Sequence, residues 1–144
     1  MKKIKIIKKN GIGKEYYNDK LIFEGEYLKG KRNGKGIEYY NDDKIKFEGE
    51  YLNGKKWNGK GYNKDGKLEF ELINGNGKVK EYKEEDKLIF EGEYLNGTKN
   101  GKGKEYYDNC KLEFVGEYLN GVKKGKGKEY YHSSKIIPGN SKTK

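Results

Sequence analysis

The hexapeptide FEGEYL occurs at Phe23, Phe47 and Phe90, with FVGEYL at Phe114. Each copy runs into a lysine-rich link and then GKG, and three of the four continue into a Tyr-Tyr pair. Units begin at Phe23, Phe47, Phe70, Phe90 and Phe114, at spacings of 24, 23, 20 and 24 residues. Self-similarity at a fixed period of this length is the mark of a stacked array, in which no single unit buries its apolar face alone. A partial unit, NGIGKEYY at Asn10 to Tyr17, resembles the second half of a repeat.

Within a unit, Phe23, Gly25 and Tyr27 alternate with Glu24 and Glu26. A two-residue period means a strand with one aromatic face and one acidic face. The second half, Gly34 to Tyr40, also reads as extended, and Lys29 to Gly34 has turn character in its Asn-Gly. Each unit is therefore a hairpin. Glycine inside a strand costs stability and usually marks close approach of another group. The expected neighbour is an aromatic ring lying over bare backbone, with Gly25, Gly49, Gly92 and Gly116 in one column and Gly36, Gly61, Gly103 and Gly127 in another. The predicted fold class is all-β: a solenoid-like, elongated, twisted antiparallel sheet of about five stacked hairpins.

Composition enters because it would otherwise argue against a fold. Charged residues make up 39% of the 144 positions and hydrophobic ones only 31%, which in a featureless chain suggests disorder. Here 14 Tyr and 5 Phe must supply most of the burial. One cysteine, Cys110, excludes an intramolecular disulfide. No apolar run is long enough to span a membrane as a helix, and MKKIKIIKK lacks the apolar stretch of a secretory signal. A soluble protein of the cytoplasm is the expectation, with association to membrane or cytoskeleton left open. The excess of Lys, Asn, Ile and Tyr also fits AT-rich coding, so part of the lysine content reflects codons.

The pattern FEGEYLNGxKNGKGKEYY resembles the MORN repeat, which combines an aromatic, Glu-Gly-Glu, an aromatic, Asn-Gly and Gly-x-Gly. The likeness covers roughly Asn10 to Ile137. It implies a curved row of antiparallel hairpins with a groove, and roles in scaffolding, self-association, protein docking and binding of acidic phospholipids. Phe stands where the family usually has its first Tyr, Glu38 stands where an apolar residue is commoner, and units run one residue long. One domain over 1–144 is expected: a partial repeat 10–22, repeats 23–46, 47–69, 70–89, 90–113 and 114–137, and a flexible basic tail 138–144.

The array is irregular in its middle. Gly54 to Gly59 spans five steps against four for Gly30 to Gly34, which brings in Trp57, the only tryptophan. Unit three lacks the Gly-Glu-Tyr segment and turns tightly at Asn74-Gly75. Drift at a tolerant loop and an exposed tryptophan anchor are both open readings.

Net charge is +10, but residues 1–22 hold +5, unit five +3 and the tail +2, so the body is nearly neutral. Turn tips carry Lys29, Lys31, Arg32, Lys55, Lys56, Lys99, Lys123 and Lys124, which stacking would align on one edge. They solubilise the sheet and guard its edges, or grip acidic lipid headgroups, or meet an acidic protein. A single arginine argues against nucleic acid, which favours bidentate contacts. His132 and Cys110 make no metal set, and GKKWNGK at Gly54 to Lys60 lacks the following Ser or Thr of a phosphate-binding loop. No catalytic residues, metal, cofactor or small-molecule substrate are expected. The predicted function is a non-enzymatic scaffold that binds a protein partner or itself through a groove lined by Tyr27, Tyr51, Trp57, Tyr94 and Tyr118 and through its edges. The alternative is peripheral binding of acidic membranes through the tips and termini.

Overall fold

A computed structural model describes residues 4–9, 11–83 and 87–130. Twelve strands follow in order: β1 (Ile4–Lys9), β2 (Ile12–Tyr17), β3 (Lys20–Leu28), β4 (Lys31–Tyr39), β5 (Ile45–Leu52), β6 (Lys55–Tyr62), β7 (Leu68–Leu72), β8 (Gly77–Lys83), β9 (Lys87–Leu95), β10 (Thr98–Tyr106), β11 (Leu112–Leu119) and β12 (Val122–Glu129). Every pairing is antiparallel between sequence neighbours, and the fold is all-β without barrel closure, as the repeat predicts. It forms two sheets, β1 to β7 and β8 to β12, rather than one continuous sheet.

Five hairpin tips share one geometry. Lys29-Gly30, Asn53-Gly54, Asn74-Gly75, Asn96-Gly97 and Asn120-Gly121 each place the first residue at φ near 50° and the glycine at 81–90°. Positive φ at both central residues is the type I′ turn, whose twist suits paired strands and whose second position suits glycine. The turn is two residues long, shorter than the six-residue link expected at Lys29 to Gly34.

Each tip hydrogen-bonds to the one before it. The Gly54 N–H donates to Arg32 O at 2.8 Å, Gly75 to Trp57 O at 2.7 Å, Gly97 to Gly75 O at 2.9 Å and Gly121 to Lys99 O at 2.8 Å. Alongside runs a ladder of side-chain amides. Asn33, Asn58, Asn76 and Asn100 accept through Oδ1 from the N–H of Asn53, Asn74, Asn96 and Asn120 at 2.8–3.2 Å. In the last hairpin the same position is Lys124, which has no amide acceptor to offer. Asn58→Ala and Asn76→Ala should each cost about 1 kcal/mol, the usual net worth of one hydrogen bond, measured by denaturant melts.

The glycine columns explain both the closeness of the strands and the split between sheets. Gly25 faces Gly36, Gly36 faces Gly49, and Gly49 faces Gly59. In the second sheet Gly92 faces Gly103, which faces Gly116. Gly59 takes the place expected for Gly61, because the register shift beside Tyr51 is one residue here against two in the β3–β4 hairpin. Next to Gly59 comes Leu72, and next to Gly92 comes Val79. At this point the column carries side chains, both of them buried. Inside the β7–β8 hairpin the tip still closes, with Ile73 and Asn76 exchanging two 3.0 Å bonds. Beyond it the ladder stops. The backbone hydrogen bonding is therefore continuous along the tips and interrupted below them, where side chains bridge the sheets, as Tyr82 to Glu69 at 2.5 Å.

Phe23, Phe47, Phe90 and Phe114 are essentially inaccessible and form the core with Tyr27, Tyr51 and Tyr118. Rings meet edge to face: Phe23 lies 5.2 Å from Tyr51 of the next hairpin, and Phe90 lies 5.5 Å from Tyr118. Neighbouring hairpins thus seal each other's rings. Tyr94 packs against the core clusters of both sheets and links them.

Candidate functional site

The five residues expected to line a groove do not do so. Tyr27, Tyr51 and Tyr118 are buried, and Tyr94 is half-buried. The reason is the glycine floor opposite them, which admits rings so fully that they become core. Trp57 is no exposed anchor either: its indole lies against the tip glycines Gly75 and Gly97.

The eight tip cations divide into two groups. Because the turn is only two residues long, Arg32, Lys56, Lys99 and Lys123 sit in strands on the ring face. Their charged ends swing back over Phe23, Phe47, Phe90 and Phe114, at 3.9, 5.2, 4.2 and 4.3 Å from the ring centres. Lys29, Lys31, Lys55 and Lys124 remain exposed at or beside the tips. Lys123 is exposed as well, its side chain 41% accessible, so five of the eight present accessible charge and Arg32, Lys56 and Lys99 do not.

Three of these cations are held by a glutamate from the preceding hairpin. Arg32 makes a bidentate pair with Glu15, at 2.9 and 2.8 Å. Lys56 pairs with Glu38 at 3.0 Å and Lys123 with Glu105 at 3.5 Å. Glu15, Glu105 and the equivalent Glu81 also accept from tyrosine hydroxyls, Tyr27 to Glu15, Tyr94 to Glu81 and Tyr118 to Glu105 at 2.5 Å, whereas the matching Tyr51 hydroxyl beside Glu38 is buried without a hydrogen bond. One unit therefore consists of a Phe, a Tyr, a cation and the previous unit's Glu. Unit three lacks the Tyr and the cation, and Gly61 stands where the matching Glu would be. Phe70 fills that space and stacks on Phe47 at 6.1 Å. A cavity of ≈ 160 Å³ remains there, bounded by Tyr40, Lys46, Lys56, Phe70 and Tyr82 among others.

Electrostatics follow from this burial. Desolvation alone would raise the Glu38 carboxyl, yet Lys56, Lys46 and Arg32 together hold it at about 2. Burial lowers Lys46, against the pull of Glu38. Burial raises the phenols of Tyr39 and Tyr40 to about 12, and raises Tyr27, Tyr51, Tyr82 and Tyr118 further. A phenol raised in the folded state stabilises fully below its unfolded pKa near 10, and that stability is lost as pH rises through 12. Absorbance at 295 nm should show only part of the tyrosine ionising near pH 10. The remainder should ionise abruptly above about pH 11–12, together with loss of the strand circular dichroism.

The Tyr-Tyr pairs also find distinct roles. The first member turns to the face away from the rings, where Tyr39 donates to Glu24 at 2.7 Å and Tyr106 to Glu91 at 3.5 Å. The second reaches the next hairpin, Tyr40 to Tyr62 O at 2.7 Å and Tyr107 to Tyr130 O at 2.6 Å.

The open concavity lies on the second sheet and has a volume of ≈ 990 Å³. Glycines Gly92, Gly103, Gly116 and Gly127 form its floor. Its walls carry Lys78, Lys80, Lys102, Lys104, Lys126 and Lys128 against Glu69, Glu91, Glu93 and Glu117, with Val115 and Leu112 between. Strand alternation puts Glu91 and Glu93 opposite in direction to Phe90 and Tyr94, so these charges point where no layer covers them. The groove reading therefore moves from the aromatic face to the charged one. Its signal in the sequence was the Lys-Glu alternation. Among the described residues no cluster of His, Cys, Asp and Glu could hold a metal, and no helix is long and apolar enough to cross a membrane. His132 and the tail from Pro138 lie outside the described residues. The family model described as MORN repeat matches residues 23–44, 90–109 and 114–134. No curated protein matches the chain.

Proposed function

The chain carries MORN repeats, a non-catalytic repeat type generally associated with protein- and membrane-binding scaffolds, and from that premise we propose that it is a docking scaffold holding a segment of a protein partner in the groove of β8 to β12. The observation that carries this reading is the groove itself: a concavity of ≈ 990 Å³ with bare backbone as its floor. Such a floor offers close approach, and paired Lys and Glu walls offer polar partners of both signs. Pockets of this size are ordinary for binding sites.

Lipid binding through the tips has less support, because Arg32, Lys56 and Lys99, three of the eight tip cations, are half-buried with their charge turned over rings. Edge-to-edge self-association has less support as well: β12 is lysine-rich, and charged edge strands resist pairing. A photo-crosslinking residue at Val115 should capture a discrete partner in the native cell, while the same residue at Asp65, in a bend of the first sheet, should not. Identical capture at both positions, or none at Val115, would remove the reading.

A further inference from the structure

Among the exposed large hydrophobics, one set recurs regularly along the fold. Leu28, Leu52, Ile73, Leu95 and Leu119 each stand immediately before a tip, and each is 41–61% exposed. Scattered surface leucines need no explanation, but these occupy one position in five identical turns. The tip-to-tip hydrogen bonds bind those turns in a row, across the sheet break as well as within each sheet. Even the irregular unit three keeps its aliphatic residue there. Two strands separate successive tips, so one aliphatic side chain recurs about every 10 Å. An α-helix repeats a heptad position about every 10.5 Å. The two pitches agree within about a tenth.

We propose that the tip row is a second docking surface, and that its occupant is an amphipathic helix of a partner protein, laid along the tips with one apolar residue per heptad and acidic flanks. The flank charge follows from Lys29, Lys31 and Lys55, which stay exposed beside the leucines. The length follows from five tips, which span about four heptads. A bilayer fits less well. Interfacial anchors are typically Trp and Tyr, whereas Trp57 is folded against Gly75 and Gly97.

The test uses the full chain and a designed 35-residue helical peptide with Leu at every seventh position and Glu beside it. A control peptide has the same composition with its leucines scattered around the helix. Fluorescence anisotropy should show micromolar binding of the aligned peptide. Leu52→Ser, Leu95→Ser and Leu119→Ser combined should weaken it about a hundred-fold. These side chains are exposed, so the melting temperature should hold, and Lys104→Glu in the groove should leave peptide binding unchanged. Absence of binding, equal binding of both peptides, or indifference to the serine substitutions would overturn the proposal. So would leucine-dependent retention on phosphatidylserine vesicles without peptide binding, which would assign the row to a membrane.

Discussion

Glu38→Gln should lower stability by about 3 kcal/mol or more, the cost of leaving buried charge without its partner. Glu38 faces Arg32 at 3.2 Å and Lys56 at 3.0 Å, with Lys46 beside them, and the paired side chains are 18–26% exposed. Glutamine keeps the volume and removes the charge, which leaves these cations facing one another. The equivalent Glu105→Gln should cost no more than about 1 kcal/mol, because Lys123 is 41% exposed and water screens it. The pH dependence has a definite sign. Glu38 is held near 2 against an ordinary value of 4.5, so its contribution is present above about pH 4.5 and is lost as pH falls toward 2. Urea melts of both variants at pH 7 and pH 3 check this. Equal losses at the two positions would show that the ion network in the first sheet has no special weight.

Gly25→Ala should cost about 3 kcal/mol, at the upper end of ordinary overpacking. An added Cβ would lie 2.5 Å from Lys35 O and 2.6 Å from the Gly36 Cα, both backbone atoms that cannot swing aside. The strands β3 and β4 would have to separate. The chain already displays the result at Leu72 and Val79, where side chains enter the column and the ladder parts. By contrast, Gly30→Ala at a tip meets nothing within 4 Å and bears only the cost of its φ of 81°, about 1 kcal/mol. Thermal melts separate the two. A Gly25→Ala variant as stable as Gly30→Ala would mean that the column does not set the strand contact.

Hairpin order and strand direction were legible because the chain repeats a two-residue alternation with Asn-Gly between halves. The ring-on-glycine packing was legible too, since Gly25 and Gly36 have no other reason to stand inside strands. Which face of the sheet stays open was not. Tyr27 and Tyr51 look like groove residues when counted along a strand, and only the depth of the glycine floor turns them into core. The division of the lysines was hidden for a similar reason. Lys55 and Lys56 are neighbours in sequence, yet strand alternation sends one to water and the other over Phe47. The glutamate partners could have been found. Glu15, Glu38, Glu81 and Glu105 precede the tyrosines by 12 or 13 residues, and this glutamate is missing at Gly61, where unit three also lacks its Tyr and cation.

The split inside unit three has a mechanical consequence. Two plates whose backbones join along one rim, with side chains alone bridging them below it, as Tyr82 to Glu69 and Lys46 to Tyr82 O, resist shear more than opening, much as a book bends at its spine. The concavity of the second plate reaches Glu69 on the first. A segment seated there would touch both and act as a strap. A bound guest would thus add one more tie across the seam and stiffen the two plates against opening.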